Sequence, residues 1–231
     1  MSQHIFISGG SSGLGLRITE DLLQQKNQVT ATYISHPHAL HSLERENKNL
    51  TTLQLDLEHP EIPIIKSLDS LILNAGVIMQ GLVSQTSSSQ FSKGLQLNVG
   101  SQAKIVQQLL PSLKDSPNPH IIFIGSFSGF HGHPGQSTYS ASKSALVGLS
   151  KSLAIEFSEH HIKVNTIYPG FMESRQTEVL SKELKQHYIN QNLLKRSNSL
   201  EELSSFIRHL LTTENISGQV FNLDSRISGM G

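Results

Sequence analysis

Tyr139 and Lys143 stand four residues apart in a helix-like stretch that runs to about Glu156, so on a helix they share one face. Ser126 lies thirteen residues before Tyr139 and follows the apolar run Ile121–Ile124, which reads as a buried strand. In an open parallel sheet, ligands and the groups that act on them gather where the strands end. A phenol, an ammonium and a hydroxyl converging at such a place can donate a proton to a carbonyl oxygen. Free tyrosine titrates near 10 and is a poor acid or base at neutral pH. An ammonium ~5 Å away stabilises the phenolate by about 3.3 kcal/mol at an effective dielectric of ~20. That is roughly 2.4 pH units and brings the phenol toward the range where general acid–base catalysis works best. Ser126 would hydrogen-bond the carbonyl oxygen as negative charge builds on it.

A Tyr–Lys pair at helical spacing also occurs on solvated helix surfaces, so the case depends on the elements that must position it. His4–Ser8 reads as a first buried strand, followed at once by the loop Gly9-Gly10-Ser11-Ser12-Gly13-Leu14-Gly15. A helix then places Leu14, Ile18, Leu22 and Leu23 on one face. Strand, glycine turn and helix in that order form a phosphate cradle, because the glycines admit a close backbone approach and the helix N-terminus offers N–H groups. Val29–Tyr33, Thr51–Leu55, Ser70–Leu73, Lys163–Tyr168 and Gly218–Leu223 read as further strands. A long helix is expected from Thr86–Ser89 to about Leu113, with polar Asn98 inside it, and another over Glu201–Leu211. Pro60 and Pro63 keep the connection from Glu58 to Leu68 short and poorly helical.

Composition narrows the function classes. The 231 residues carry 18 Lys plus Arg and 18 Asp plus Glu, so no basic excess steers the chain to nucleic acid or an anionic membrane. The absence of cysteine excludes disulfides, thiolate metal sites and a cysteine nucleophile. No apolar stretch approaches the ~20 residues that span a bilayer, and the opening MSQHIFISGG lacks a leader pattern. A cytoplasmic protein is the expectation. Of the twelve histidines, His36, His38 and His41 cluster, as do His131 and His133. Neither group has the thiolates or the helical His pair with Glu that marks zinc sites, so no metal is expected. His131 and His133 fall between Ser126 and Tyr139, which makes them candidates for a pocket wall.

The glycine spacing Gly9-x-x-x-Gly13-x-Gly15 resembles the short-chain dehydrogenase/reductase family in its compact, single-domain branch. Asn74-Ala75-Gly76 after the fourth strand, Asn98, the Ser126, Tyr139 and Lys143 spacing, and Pro169-Gly170 after the sixth strand match the same family in the same order. Two positions depart conservatively: Ser8 and Ser174 stand where threonine is usual. The resemblance covers essentially the whole chain. It implies a doubly wound α/β Rossmann-type domain over residues 1–231, with a mostly parallel seven-stranded sheet in the order 3-2-1-4-5-6-7. A substrate lid would lie at about residues 174–196.

The resemblance also assigns roles. Tyr139 becomes the proton donor, Lys143 its activator and a holder of the nicotinamide ribose, Ser126 the carbonyl clamp, and Asn98 the residue holding a relay water. Cofactor contacts are expected from Gly9, Ser11, Ser12, Gly13, Leu14 and Gly15, from Tyr33, Ser35 and His36, and from Asp56 and Leu57. Asn74, Ala75, Gly76, Tyr139, Lys143, Pro169, Gly170, Met172 and Ser174 complete the set. The reaction would be reversible carbonyl reduction on a small-molecule substrate. The Tyr-Ser-Ala-Ser-Lys run is most similar to 3-oxoacyl-(acyl-carrier-protein) reductases, which puts a thioester-linked carbonyl among the candidates. No acid occurs from Val29 to Leu43 to grip the ribose hydroxyls of NAD, so NADP is preferred and NAD admitted. A homotetramer or homodimer is expected through the two long helices, the second rich in small residues (Ala141, Ser144, Ala145, Gly148). The competing class is a non-enzymatic NADP(H) sensor that keeps the fold, and the intact Asn98, Ser126, Tyr139 and Lys143 speak against it.

Overall fold

The computed structural model describes residues 2–173, 175–178 and 180–226. The apolar runs form seven strands: β1 (His4–Ser8), β2 (Gln28–Tyr33), β3 (Leu50–Gln54), β4 (Ser70–Leu73), β5 (His120–Ile124), β6 (Lys163–Tyr168) and β7 (Val220–Asn222). All neighbours pair in parallel, in the order β3-β2-β1-β4-β5-β6-β7. This is the doubly wound sheet expected from the sequence. The helices are α1 (Gly13–Gln24), α2 (His38–Glu46), α3 (Ser88–Leu95), α4 (Ser101–Leu113), α5 (Ser137–Glu156), α6 (Arg175–Glu178), α7 (Lys182–Gln191) and α8 (Leu200–Leu210). Among the described residues, no helix is long and apolar enough to cross a membrane.

Helices cover both faces of the sheet, so the central strands are apolar on successive residues rather than alternately. Ile5, Ile7, Ile72 and Ile122 pack with Leu14, Ile18 and Leu22 of α1 and with Leu203, Ile207 and Leu210 of α8. Their neighbours along the strands, Phe6, Leu71, Leu73, Ile121 and Phe123, pack on the opposite side with Ile105, Val106 and Leu109 of α4 and with Leu146 and Leu153 of α5. The two-residue period of a strand divides one continuous apolar run between two cores.

The long helix expected from Thr86 differs. It is three pieces: α3, a π-helical turn over Gln96–Gly100, and α4. Ser87 caps α3 in a capping box with Gln90. The π turn lies where Asn98 turns its side chain onto the backbone of Val77. Its Oδ1 accepts from Val77 N at 2.8 Å and its Nδ2 donates to Val77 O at 2.9 Å. Such insertions are frequent at functional sites.

The crossover from β3 to β4 contains no helix, as its prolines imply. Gln108 of α4 holds it instead, donating to Pro60 O at 2.6 Å and accepting from Ile62 N at 3.0 Å. Beyond β1 the chain winds outward through β2 and β3, and β4 begins the other half. The crevice at the carboxyl ends of β1 and β4 is therefore where a ligand is expected to lie.

Candidate active site

The glycine loop shapes one side of this crevice. Gly9 and Gly13 adopt φ of 69° and 53°, a left-handed region that favours glycine. Gly9 N donates to Thr32 Oγ1 at 3.1 Å and Gly10 N to Thr32 O at 2.8 Å, so β2 holds the loop in place. Asn74 Nδ2 donates to Gly9 O at 2.9 Å, tying the end of β4 to the loop after β1. Ser8 Oγ accepts from Ala75 N at 3.0 Å, so serine at this position supplies the hydroxyl that the turn uses.

These turns border a groove of about 540 Å³. Gly9, Ser11, Ser12, Gly13 and Leu14 line its floor, with Tyr33, Ser35 and His36 at the end of β2. Asp56 and Leu57 line it at the end of β3, and Asn74, Ala75, Gly76 and Met172 at its inner end. Gly15, expected among the cofactor contacts, is not in the wall. It packs beneath the loop, where an added Cβ would lie 2.1 Å from Gly9 O and 2.6 Å from Asn74 Nδ2. The residues fit a dinucleotide. Gly9, Gly10 and Gly15 leave no room for a Cβ, the N-terminus of α1 meets the groove, and no carboxylate stands at the end of β2. The Ser35 hydroxyl and His36 Nδ1 are 2.6 Å apart there.

Asn74, Gly76 and Met172 also belong to a second pocket of about 200 Å³, so groove and pocket adjoin. Ser126, Tyr139 and Lys143 line this pocket together, as their spacing implied. Ser126 leaves the end of β5 in extended conformation, and α5 carries Tyr139 and Lys143 on the face turned to it. Pro169, Gly170 and Met172, read as cofactor contacts, line the pocket after β6. Ser174 lies outside the described residues.

Lys143 is buried at 5% exposure and donates from Nζ to Ile124 O at 2.8 Å. Its Nζ is 5.8 Å from the centroid of the Tyr139 ring. Burial pushes Lys143 down to about 8. Burial also raises the Tyr139 phenol above the usual tyrosine value, and a hydrogen bond with Ser126 only partly opposes this. The expected lowering of Tyr139 by Lys143 is therefore not found in the protein alone. Both groups lose solvation in the same place, and the ammonium engages the Ile124 carbonyl rather than the phenol.

Asn98 is buried and does not line the pocket. Besides Val77 it donates to Ser142 Oγ at 3.0 Å, and both Nδ2 protons are thereby used. A Cβ on Gly76 would lie 3.1 Å from Asn98 Oδ1 and 3.4 Å from Lys143 Nζ. Asn98 thus braces the turn after β4 against α5.

The outer wall joins His133, expected there from the sequence, and Tyr188, within the expected lid, to Phe171 and Arg226, whose place the sequence does not reveal. Phe171 stacks on Tyr188 of α7 with centroids 5.3 Å apart, and Tyr188 meets His133 edge-on at 5.6 Å. His133 lines the pocket, whereas His131 stacks on Phe127 at 4.7 Å and opens on a side cavity. Arg226, past β7, closes the same wall, a place that its sequence position does not reveal. The one hint was the charged pair Asp224 and Arg226 in an otherwise uncharged C-terminal stretch.

Comparison with known proteins agrees with this architecture. The family described as short chain dehydrogenase matches residues 3–185, and the chain belongs to that family of nicotinamide-dependent oxidoreductases acting on CH–OH and carbonyl groups. The chain is similar to the 3-oxoacyl-(acyl-carrier-protein) reductase FabG of Thermotoga maritima, 28% identical over 94% of each chain. It is also similar to the Pseudomonas aeruginosa RhlG/NADP active-site complex, with TM-score 0.86 and 27% identity over 96% of this chain and 95% of that one. A dehydrogenase/reductase from Sinorhizobium meliloti shares the fold, with TM-score 0.87 and 20% identity over 97% of this chain and 95% of that one.

Proposed function

We propose that this protein reduces a carbonyl to an alcohol, reversibly, with NADP(H) preferred to NAD(H). A 3-oxoacyl thioester is the first candidate substrate that its relatives suggest. The observation that carries the reading is the convergence of Ser126, Tyr139 and Lys143 on a pocket adjoining the dinucleotide groove. The bound nicotinamide supplies the hydride. Tyr139 gives its phenolic proton to the carbonyl oxygen, and Ser126 hydrogen-bonds that oxygen as charge develops. Lys143, held by Ile124 O, keeps a positive charge beside the phenolate that forms and offers its remaining protons to a ribose hydroxyl. Asn98 holds the turn at Gly76 and Val77, where a relay water would reach Lys143. The segment carrying Thr177, Leu180 and Tyr188 forms the outer wall and acts as the lid.

For the cofactor, Ser35 and His36 can donate to a 2′-phosphate that no carboxylate at the end of β2 repels. Among the described residues no lysine or arginine lines the groove, so a preference rather than strict specificity is expected.

The test is a panel of ketones and 3-oxoacyl thioesters followed by loss of NADPH absorbance, with Tyr139→Phe in parallel. Losing a general acid lowers kcat by about 10²–10⁴-fold, and NADPH binding should survive. A variant that keeps most of its kcat removes Tyr139 as the donor. A wild type that binds NADPH and turns over nothing would point to a sensor instead.

A further inference from the structure

Arg226 is 8% exposed and lies four residues past the end of β7. Its guanidinium stands 3.4 Å from the centroid of the Phe127 ring. Nε donates to Asp224 Oδ2 at 2.6 Å, Nη2 donates to the same oxygen, and the Arg226 backbone N donates to Asp224 Oδ1 at 2.9 Å. The Asp224 side chain is fully buried and packs against Gly170, where an added Cβ would lie 2.5 Å from Asp224 Cβ. The guanidinium is thus fixed from behind by a buried carboxylate and from the side by an aromatic face, an arrangement that holds a planar fork in one orientation.

Nη1 is left over. It makes no hydrogen bond among the described residues, and it is not one of the buried polar atoms sealed from solvent. Arg226 lines both the pocket of Tyr139 and the side cavity beyond Phe127. Among the described residues the pocket wall includes Lys143 and Arg226 and no Asp or Glu, since Asp224 stands behind it. His133 and Gln136 share the wall. Burial, with further lowering by Arg226, keeps His133 below its ordinary value, so at neutral pH it is a neutral hydrogen-bonding group, and among the described residues Arg226 is the fixed charge on the outer wall.

An uncharged acyl chain laid along this wall would strip water from Nη1 and return nothing for it. An oxyanion would instead receive a charge-assisted hydrogen bond from a donor already held in place. We propose that the substrate is a small oxo acid, whose free carboxylate is received by Arg226 through Nη1 while its carbonyl is presented to Tyr139 and Ser126. The proposal rests on the carbonyl-reduction reading and changes the substrate class within it, because a carrier-linked acyl chain has no carboxylate beside its ketone. Arg226 is then a specificity residue acting on a part of the substrate that does not react.

The experiment compares matched pairs, acetoacetate with methyl acetoacetate and 4-oxopentanoate with its methyl ester, using wild-type protein and NADPH at pH 7. The acid should exceed its ester in kcat/KM by about tenfold or more, as one retained charge-assisted hydrogen bond implies. In Arg226→Gln that ratio should collapse by a similar factor, chiefly through KM for the acid, and Arg226→Lys should recover part of it. NADPH binding reports whether each variant is folded, and if Arg226→Gln does not bind, the wild-type ratio alone decides. Esters reduced as well as or better than their acids would overturn the oxo-acid proposal and leave carbonyl reduction standing. A 2-oxoalkyl phosphonate preferred over the carboxylate would overturn it in favour of a phosphate-bearing substrate. If acids, esters and thioesters all fail to consume NADPH, the reductase reading falls and this proposal with it.

Discussion

The groove and the pocket meet at Asn74, Gly76 and Met172, yet they are built by different means. The groove is mostly backbone. Its shape comes from turns at Gly9 and Gly13, and side chains such as Asn74, Thr32 and Ser8 serve to hold main chain to main chain. The pocket wall is mostly side chain. Phe127, Phe171, Tyr188, His133 and Arg226 come from four distant segments and fix one another by ring contacts and one buried ion pair. A ligand part shared among many relatives can be held by backbone, which every sequence possesses. A ligand part peculiar to one protein needs side chains that can be exchanged without disturbing the sheet.

If the groove is a backbone device, one methyl group in its support should do more harm than the loss of a large pocket side chain. Gly15→Ala is the sharpest test, since its Cβ would lie 2.1 Å from Gly9 O and displace Asn74 Nδ2. Overpacking of this kind costs about 1–3 kcal/mol of stability. Shifting the loop by enough to lose one or two hydrogen bonds to a phosphate, each worth about 1.5–3 kcal/mol, weakens NADPH binding by about 10²-fold. Fluorescence titration with NADPH reads this. Binding unchanged within threefold would mean that the loop is not the rigid cradle described here.

The same division decides what could be read in the sequence. Gly9, Gly13, Asn74 and the Ser126, Tyr139 and Lys143 spacing were legible because each is tied to a nearby strand end, and strand ends show in the apolar pattern. The π turn at Asn98 was not, because the partner of its side chain is Val77, twenty-one residues away, and helix periodicity carries no trace of it. The raising of Tyr139, where spacing alone implies a lowering by Lys143, has a related reason. Charge separation follows from helical spacing, but desolvation depends on the whole packed surround. Arg226 acquires its setting only when the end of β7 meets Phe127, ninety-nine residues earlier in the chain.

A middle-sized effect is expected at Ser35, one of the two groove residues proposed to meet a 2′-phosphate. Ser35 lines the groove at the end of β2. Ser35→Asp places a carboxylate where it can accept from ribose hydroxyls and repel a 2′-phosphate. A repulsion of about 1–2 kcal/mol at this exposed position is worth roughly 5–30-fold, so the NADPH-to-NADH ratio of kcat/KM should fall by about tenfold or more. An unchanged ratio would show that the phosphate, if bound, lies elsewhere.

The smallest effect belongs to the pocket side and tests whether its wall can change without the groove noticing. Phe127 is buried, touches the Arg226 guanidinium at 3.4 Å and stacks with His131 at 4.7 Å, but it packs in neither core of the sheet. Phe127→Leu keeps an apolar side chain and removes the ring face. The loss is one cation–π contact, worth about 0.5–2 kcal/mol, and with it part of the restraint on Arg226. Asp224 still holds two of the guanidinium nitrogens, so the fork loosens without leaving. KM for the preferred substrate should rise by about three- to tenfold, the equivalent of 0.7–1.4 kcal/mol. The dissociation constant for NADPH should not move, because Phe127 does not line the groove. Steady-state kinetics paired with NADPH titration separates the two quantities. A parallel loss in both would show that pocket and groove are mechanically one unit, and the contrast between them would have to be abandoned.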